Sequence, residues 1–378
     1  MKEENHKEDG LSDQSFALIA LTRHGCRLAL EIYQKKLPNY IPVDLYFPEK
    51  FKNDFAENKL PRYYSGKLKD LLQNLLPRCQ GIIAIVSLGA LVRIIAPMIT
   101  NKQGDPAIVV VDEKGEYVIS VLSGHLGGAN DLARNLAENI GARPVITTAS
   151  DVRDTIAVDL LGKAFGWTID SFDHITQISA AVVNEEPVAI LQESGETGWW
   201  PSQKLLPDNI KLYKKIDDLL NSTAEYIIII SHRLFQKLEN YNFFISRKSV
   251  FFRPRVIGIG LGCNRNTPET EIENVVFDTL EDLQLSSKSI LGIATIDLKK
   301  NEPGLVSFCN KWSYPLFVYS AEELNSAGAE NMSEIVFKHT GAYAVSEPAA
   351  KILVKNERLL IRKKISGNVT ISVGILEN

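Results

Sequence analysis

Ser123-Gly-His-Leu-Gly-Gly-Ala-Asn130 places a hydroxyl, an imidazole and a cluster of glycines on one short stretch. Glycines without side chains let backbone N–H groups come close to a ligand, and a histidine beside them can take or give a proton near neutral pH. Upstream, the apolar run Tyr117 to Leu122 reads as a strand. Downstream, Leu132, Ala133, Leu136, Ala137 and Ile140 recur at helical spacing until Gly141 stops the helix. Pro144 then leads into a second strand through Val145 to Thr147. This is a βαβ unit, which predicts that Gly124 to Asn130 sit at a strand's carboxyl end, where open parallel sheets bind ligands. His125 precedes the helix N-terminus, whose unpaired N–H groups and positive dipole end make a seat for a carboxylate or phosphate. The same field disfavours imidazolium, so a neutral His125 is expected. The bland alternative is a turn histidine bonded to backbone. Ser123 is a ligand contact or a turn hydroxyl, and Asn130 holds the loop or a ligand.

Other residues could join this chemistry. Arg93 follows the Ser87–Ala90 turn after another strand, flanked by Val92 and Ile94 at an apolar helix start, and either binds an anion or is plain surface charge. Lys102 and Asp105 fall in the loop before a hairpin, where surface charge is the plain explanation. Thr147, Thr148 and Asp151 end the second strand of the βαβ unit, adjacent to the glycine loop by topology. Farther on, Gly258, Gly260 and Gly262 superficially resemble a dinucleotide fingerprint, but Arg265 replaces the third glycine and the spacing fails. Cys263 is a nucleophile or a soft metal ligand only if its thiol is activated, and a loop thiol with no nearby His in sequence is usually inert. Lys299, Glu302, Glu347 and Lys363 fall in loops or at strand ends, where solvation is the default.

The elements that must position these groups are α/β throughout. Phe16 to Leu21 reads as a strand, Gly25 to Gln34 as a helix, and Val43 to Phe47 and Gly81 to Val86 as further strands. Asp112-Glu-Lys-Gly115 joins Ala107–Val111 to Glu116–Leu122 as a hairpin, which makes the sheet mixed. From Val152 to Val250 the patterning weakens, with one strong strand at Tyr226 to Ile230. Arg255 opens a third region: a strand at Val256 to Gly260, a helix capped by Thr267 with Pro268 first, and strands at Ile290–Ile296 and Leu316–Tyr319. Ser320 with Glu323 forms a capping box, and Ser366-Gly-Asn368 turns a closing hairpin. The reading is a mixed-sheet α/β domain over 1–150, a middle module over 151–252 and a second α/β domain over 253–378. A chain of 378 residues supports several such cores.

Composition narrows the partner. A net charge of -4 offers no basic footprint for nucleic acid, and 45% hydrophobic residues is ordinary for a globular chain. No stretch is long enough to span a membrane and residues 1–15 do not form a signal peptide, so the expected location is the cytoplasm. Cys26, Cys79, Cys263 and Cys309 are scattered, which indicates neither a zinc site nor a disulfide framework. The partner expected is a small molecule.

Together Arg93-Ile-Ile-Ala-Pro97, Asp105-Pro106, the Ser123–Asn130 block, Gly258-Ile-Gly-Leu-Gly-Cys-Asn-Arg265, Ala294 to Lys299 with Glu302-Pro-Gly-Leu305, and Ser346-Glu-Pro-Ala-Ala350 resemble the cobalamin biosynthesis protein G family, the cobalt-precorrin-5A hydrolases. The resemblance spans nearly the whole chain. Ser150 stands where threonine is expected, and Arg362 precedes Lys363 where proline is common. The resemblance implies a cobalt-bearing tetrapyrrole substrate with a δ-lactone bridging ring A, opened with release of a two-carbon fragment as acetaldehyde. Cobalt then arrives in the substrate, with no cofactor or metal of the protein's own. A carrier that binds the corrinoid without turnover is the alternative. Neighbouring corrin-pathway enzymes are the macromolecular partners it suggests, and a homodimer is left open. On this reading His125, Asp151 and Glu347 are the catalytic candidates. The substrate-binding set is Arg93, Lys102, Asp105, Ser123, Gly124, Gly127, Gly128, Asn130, Thr147 and Thr148, joined by Gly260, Gly262, Cys263, Asn264, Arg265, Lys299, Glu302 and Lys363.

Overall fold

The computed structural model describes residues 15–34, 42–100, 104–125, 127–149, 155–201, 203–235, 241–330 and 332–377. They fold as two compact units, one ending at Leu160 and one beginning at Leu161. In the first, β1 (Phe16–Ala20), β2 (Val43–Pro48), β3 (Pro61–Tyr64), β4 (Gly81–Ile85), β5 (Ala107–Val111), β6 (Tyr117–Leu122) and β7 (Arg143–Val145) form one sheet in the order β3-β2-β1-β4-β5-β6-β7. β1 is apolar at every position because helices cover both of its faces. Phe16, Leu18 and Ala20 pack with Cys26, Ala29 and Ile32 of the Arg23–Gln34 helix and with Ala133 and Leu136 of the Ala129–Ile140 helix. Ala17 and Ile19 pack on the other face with Leu72, Leu75, Leu91 and Ile95.

All neighbouring strands in this sheet run parallel except β5 and β6. Their hairpin forms where expected, for a local reason. The Asp112 carboxylate accepts from the N–H groups of Tyr117 (2.6 Å) and Lys114 (3.1 Å), and Gly115 takes φ +70°, a backbone state that favours glycine. The reversal corrects one expectation. Leu122 pairs with Ile108, so the loop after β6 leaves from the edge of the sheet where β1, β4 and β5 begin, not from their carboxyl ends. β7 runs parallel to β6 and ends on that same edge.

The second unit holds two five-stranded sheets. The first contains β8 (Thr168–Ile169), β9 (Val188–Gln192), β10 (Ile210–Tyr213), β11 (Tyr226–Ile230) and β12 (Lys248–Arg253), in the order β10-β9-β11-β12-β8. Only β11 stands out in the sequence. β9 is a short, unalternating apolar run and β10 exposes polar residues, so neither announces itself by period. The second sheet contains β13 (Ile257–Cys263), β14 (Ile290–Ile296), β15 (Leu316–Tyr319), β16 (Leu359–Ser366) and β17 (Val369–Ile375), in the order β15-β14-β13-β17-β16. The capping box at Ser320 and Glu323 is present. Thr267 is not a cap: its hydroxyl donates to the Asn264 carbonyl at 2.9 Å, and Pro268 occupies the cap position of the Glu269–Asp282 helix. The β13 glycines have a packing reason. A Cβ on Gly260 would lie 1.9 Å from the Ser346 carbonyl oxygen and one on Gly258 2.3 Å from Val354, because the Ser346–Val354 helix lies directly on the strand.

Arg253 ends β12 and belongs to the middle sheet, pairing with Thr168 of β8. Its guanidinium is buried, donating to Asp170 Oδ2 through Nε (2.8 Å) and Nη2 (2.6 Å) and to the carbonyls of Ser231 (2.8 Å) and Arg233 (2.6 Å) through Nη1. Lys288, just before β14, reaches Asp170 Oδ1 at 3.3 Å, so this carboxylate links the middle sheet to the C-terminal one. Beside it, burial pushes the His232 imidazole down from its ordinary 6.5 to about 4, helped by the charges of Arg233 and Arg253.

Removing one partner of a buried charge pair typically costs about 3–5 kcal/mol. Asp170→Ala should therefore lower unfolding free energy by about 3 kcal/mol in a denaturant titration, the lower end applying because two carbonyls still face Arg253. His232 adds a pH dependence. Its folded-state value lies below the unfolded one, so unfolding takes up a proton between pH 6.5 and 4 and stability falls as pH drops through that window. Relative to His232→Gln, which has no such titration, the native chain should lose about 3 kcal/mol between pH 7 and 4.

Candidate functional site

The glycine block folds as a tight loop between β6 and the Ala129–Ile140 helix. Ser123 takes φ +56° and donates its hydroxyl to the Asp105 carbonyl at 2.8 Å, which presses the loop onto the start of β5. Asn130 is almost fully buried and binds the loop from within: it accepts from the Ser120 hydroxyl at 2.7 Å and donates to Thr148 Oγ1 at 3.0 Å. Two glycines make room for this. A Cβ on Gly124 would meet Asn130 Oδ1 at 2.7 Å, and one on Gly127 would meet the Ser123 Cβ at 2.4 Å and its carbonyl at 2.9 Å. Gly128 adopts φ +85° at the helix N-cap. Thus Ser123 and Asn130 are occupied in holding the loop, as is Thr148; Thr147 beside it is exposed.

His125 is half-buried and does not make only the backbone bonds of a turn residue. Its Nδ1 lies 3.0 Å and 3.2 Å from the two oxygens of Asp159, in the Val158–Leu160 turn of the same unit. An ionised carboxylate only accepts, so Nδ1 carries the hydrogen. Asp159 also adds a negative charge that the sequence reading did not include, so the helix end is not the sole field on the ring. Sequence reasoning missed Asp159, which sits 34 residues away in an unremarkable segment.

Arg93 lies in the last turn of the Leu88–Ile95 helix, not at its start, and is exposed. A cation there suits the helix's negative end. That helix packs Leu91 and Ile95 on the face of the sheet opposite the one covered by the Ala129–Ile140 helix. The Asp105 carboxylate accepts from the N–H and hydroxyl of Thr100, both at 3.0 Å, which closes the loop that follows. Lys102, Ser150 and Asp151 lie outside the described residues.

Cys263, Asn264, Arg265, Lys299 and Glu302 lie at the carboxyl ends of the parallel strands β13 and β14. Glu302 is buried, not solvated: it accepts from the Asn266 N–H (2.6 Å) and pairs with Lys299 Nζ (2.8 Å). Burial pushes its carboxyl up, but the Lys299 ammonium, the Asn266 N–H and the Arg265 charge together hold it below its ordinary value. Burial raises the Cys263 thiol, only partly offset by Lys299, which makes it a poor nucleophile at neutral pH. Asn264 donates to the Asn368 side chain at 2.8 Å, Arg265 is exposed, and a Cβ on Gly262 would make ordinary contact with Val345 and Thr370 at 3.8 Å. Glu347 also departs from the solvated expectation, being buried in the first turn of the Ser346–Val354 helix. Its Oε1 accepts from the Glu330 N–H (3.3 Å) and faces Lys351 Nζ (3.5 Å). Lys363 is exposed in mid-strand on β16 rather than at a strand end. Among the described residues no three His, Cys, Asp or Glu side chains cluster to hold a metal ion.

Residues 70–151 match the family model described as cobalamin synthesis G N-terminal, residues 156–254 the cobalamin biosynthesis central region, and residues 257–374 the cobalamin synthesis G C-terminus. The chain belongs to the cobalamin biosynthesis protein G family. It is 45% identical over 377 residues to the cobalt-precorrin-5A hydrolase of Priestia megaterium, covering 99% of this chain and 98% of that one. Identity to the cobalt-precorrin-5A hydrolase of Salmonella typhimurium is 30% over 367 residues, covering 96% and 98%. A solved cobalamin biosynthesis protein G homologue from Sulfolobus solfataricus is 24% identical, with coverage of 96% and 97% and a TM-score of 0.39.

In this member of the protein G family the glycine loop leaves no room for a methyl group at Gly127. Gly127→Ala should therefore displace Ser123, both its side chain and its carbonyl, costing about 1–3 kcal/mol by overpacking. The check is a thermal melt alongside a Gly128→Ala control, where the added methyl meets open space but a left-handed backbone.

Proposed function

We infer that this chain is a cobalt-precorrin-5A hydrolase, which opens a δ-lactone on a cobalt-bearing tetrapyrrole and releases a two-carbon fragment as acetaldehyde. The observation that carries the reading is 45% identity, sustained over 99% of the chain, to a relative of that name. The chemistry asks for an acid–base group, donors for an oxyanion, and cations for the carboxylate arms of the macrocycle. His125, paired to a carboxylate, beside a loop of close-approach glycines and ahead of a helix N-terminus, supplies the first two in one place. Exposed Arg93 is the cation assigned to an arm of the substrate.

Water is the nucleophile. It adds to the lactone carbonyl as His125 takes its proton, the acyl C–O bond breaks, and the freed oxygen is protonated. Acetaldehyde then leaves as that hydroxyl loses its proton and the electron pair of the broken C–C bond passes into the conjugated macrocycle, which is protonated in turn. Cobalt enters and departs with the substrate, and the reaction takes place in the cytoplasm. No helix among the described residues is long and apolar enough to cross a membrane.

Incubation with cobalt-precorrin-5A and trapping of the volatile aldehyde tests the reading: one acetaldehyde per macrocycle is expected. His125→Ala should lower turnover by about 10²–10⁴ with the fold and substrate affinity retained, the usual loss of general acid–base catalysis. Tight binding of the macrocycle without acetaldehyde would make the chain a carrier instead.

A further inference from the structure

We propose that Asp159 is a positioning residue for His125, forming a carboxylate–imidazole pair that fixes the tautomer and the orientation of the ring. This rests on the reading of His125 as the acid–base group. The pair is specific in its geometry: Nδ1 sits within hydrogen-bond distance of both Asp159 oxygens, at 3.0 Å and 3.2 Å, and the two side chains are 15% and 24% exposed. A carboxylate at Nδ1 obliges that nitrogen to keep its hydrogen, which makes Nε2 the nitrogen that exchanges a proton with substrate or water. The partner also opposes rotation of the imidazole about its own axis, so the basic lone pair points one way.

A purely structural role for Asp159 explains less. The turn that carries it is already anchored by Ile156 and Val158, both buried, and by the Leu160 N–H bonding the Ala157 carbonyl at 3.0 Å. Its carboxylate is aimed across a gap of 34 residues at a histidine on a loop whose own backbone is held by Ser123 and Asn130. The loop therefore does not need Asp159 to stand, whereas the imidazole needs it to be oriented. The segment from residue 156 matches the family's central region, yet through Leu160 it packs with the N-terminal unit. That short return of chain is what delivers the carboxylate.

Asp159→Asn is the direct test, read by steady-state acetaldehyde release and by ¹⁵N-edited NMR of His125. An amide can donate to Nδ1 and so stabilise the wrong tautomer. The expected result is a folded protein with KM within about twofold, kcat lowered about 100-fold or more, and a His125 signature moved from Nδ1–H toward Nε2–H. Turnover within about threefold of the native chain, or an unchanged tautomer, overturns the proposal. If His125→Ala itself keeps full turnover, the acid–base reading fails, while the tautomer shift in Asp159→Asn still reports whether the pair exists. Should Asp159→Asn not fold, Asp159→Glu keeps the carboxylate on a longer arm. A retained Nδ1–H signature with turnover above that of Asp159→Ala supports the pair, and turnover equal to that of Asp159→Ala overturns it.

Discussion

β6 runs against β5, and the place of the glycine loop, with Ser123, His125 and Asn130, follows from that reversal. Had the strand continued parallel, the glycine loop would stand at the carboxyl edge of the sheet with the ends of β1 and β4. Instead it stands where β5 begins, against the Asp105 carbonyl, and shares that edge with the segment after β7. The reversal rests on a few local contacts: an Asp112 carboxylate bonding two N–H groups and a glycine able to take positive φ. A small turn thus decides at which edge of the sheet the glycine loop stands.

Within the loop, polar groups divide into those that satisfy the protein and those that can act on something else. A tight, partly buried loop has N–H and C=O groups that must find partners. Ser123, Asn130 and Thr148 are spent on this task, which is why the imidazole can hold a stable place without itself bracing the backbone. The C-terminal cluster shows the same division. Glu302 ties down the loop at Asn266 and holds Lys299, while Arg265 stays exposed beside them. Burial raises the Cys263 thiol, as it does those of Cys26, Cys79 and Cys309, so residue type alone does not make it a nucleophile.

The two sheets of the second unit are joined by charge as well as by main-chain hydrogen bonds. Arg253 and Asp170 form a buried pair that Lys288 extends toward β14, and main-chain bonds run from Leu234 to Gln284 and from Ser286 to His232. A neutral His232 beside these cations is consistent with burial that tolerates one compensated charge pair but not a further positive charge.

Local order was legible in the residues themselves. The hairpin at Asp112–Gly115, the helix from Ala129 to its Gly141 stop, β14, β15 and the Ser320–Glu323 box depend on neighbours a few positions apart, and period and turn chemistry report such neighbours directly. The glycine block announced a tight loop for the same reason, its glycines making room for Asn130 and Ser123. Which groups face one another was a different matter. The edge on which the loop emerges, the burial of Glu302 and Glu347, the seating of a helix on Gly258 and Gly260, and the meeting of His125 with Asp159 each join residues far apart in the chain. Spacing carries no information about such pairs, because their distance is set by strand order and packing, and only the folded sheet brings an aspartate from one turn to the imidazole of another.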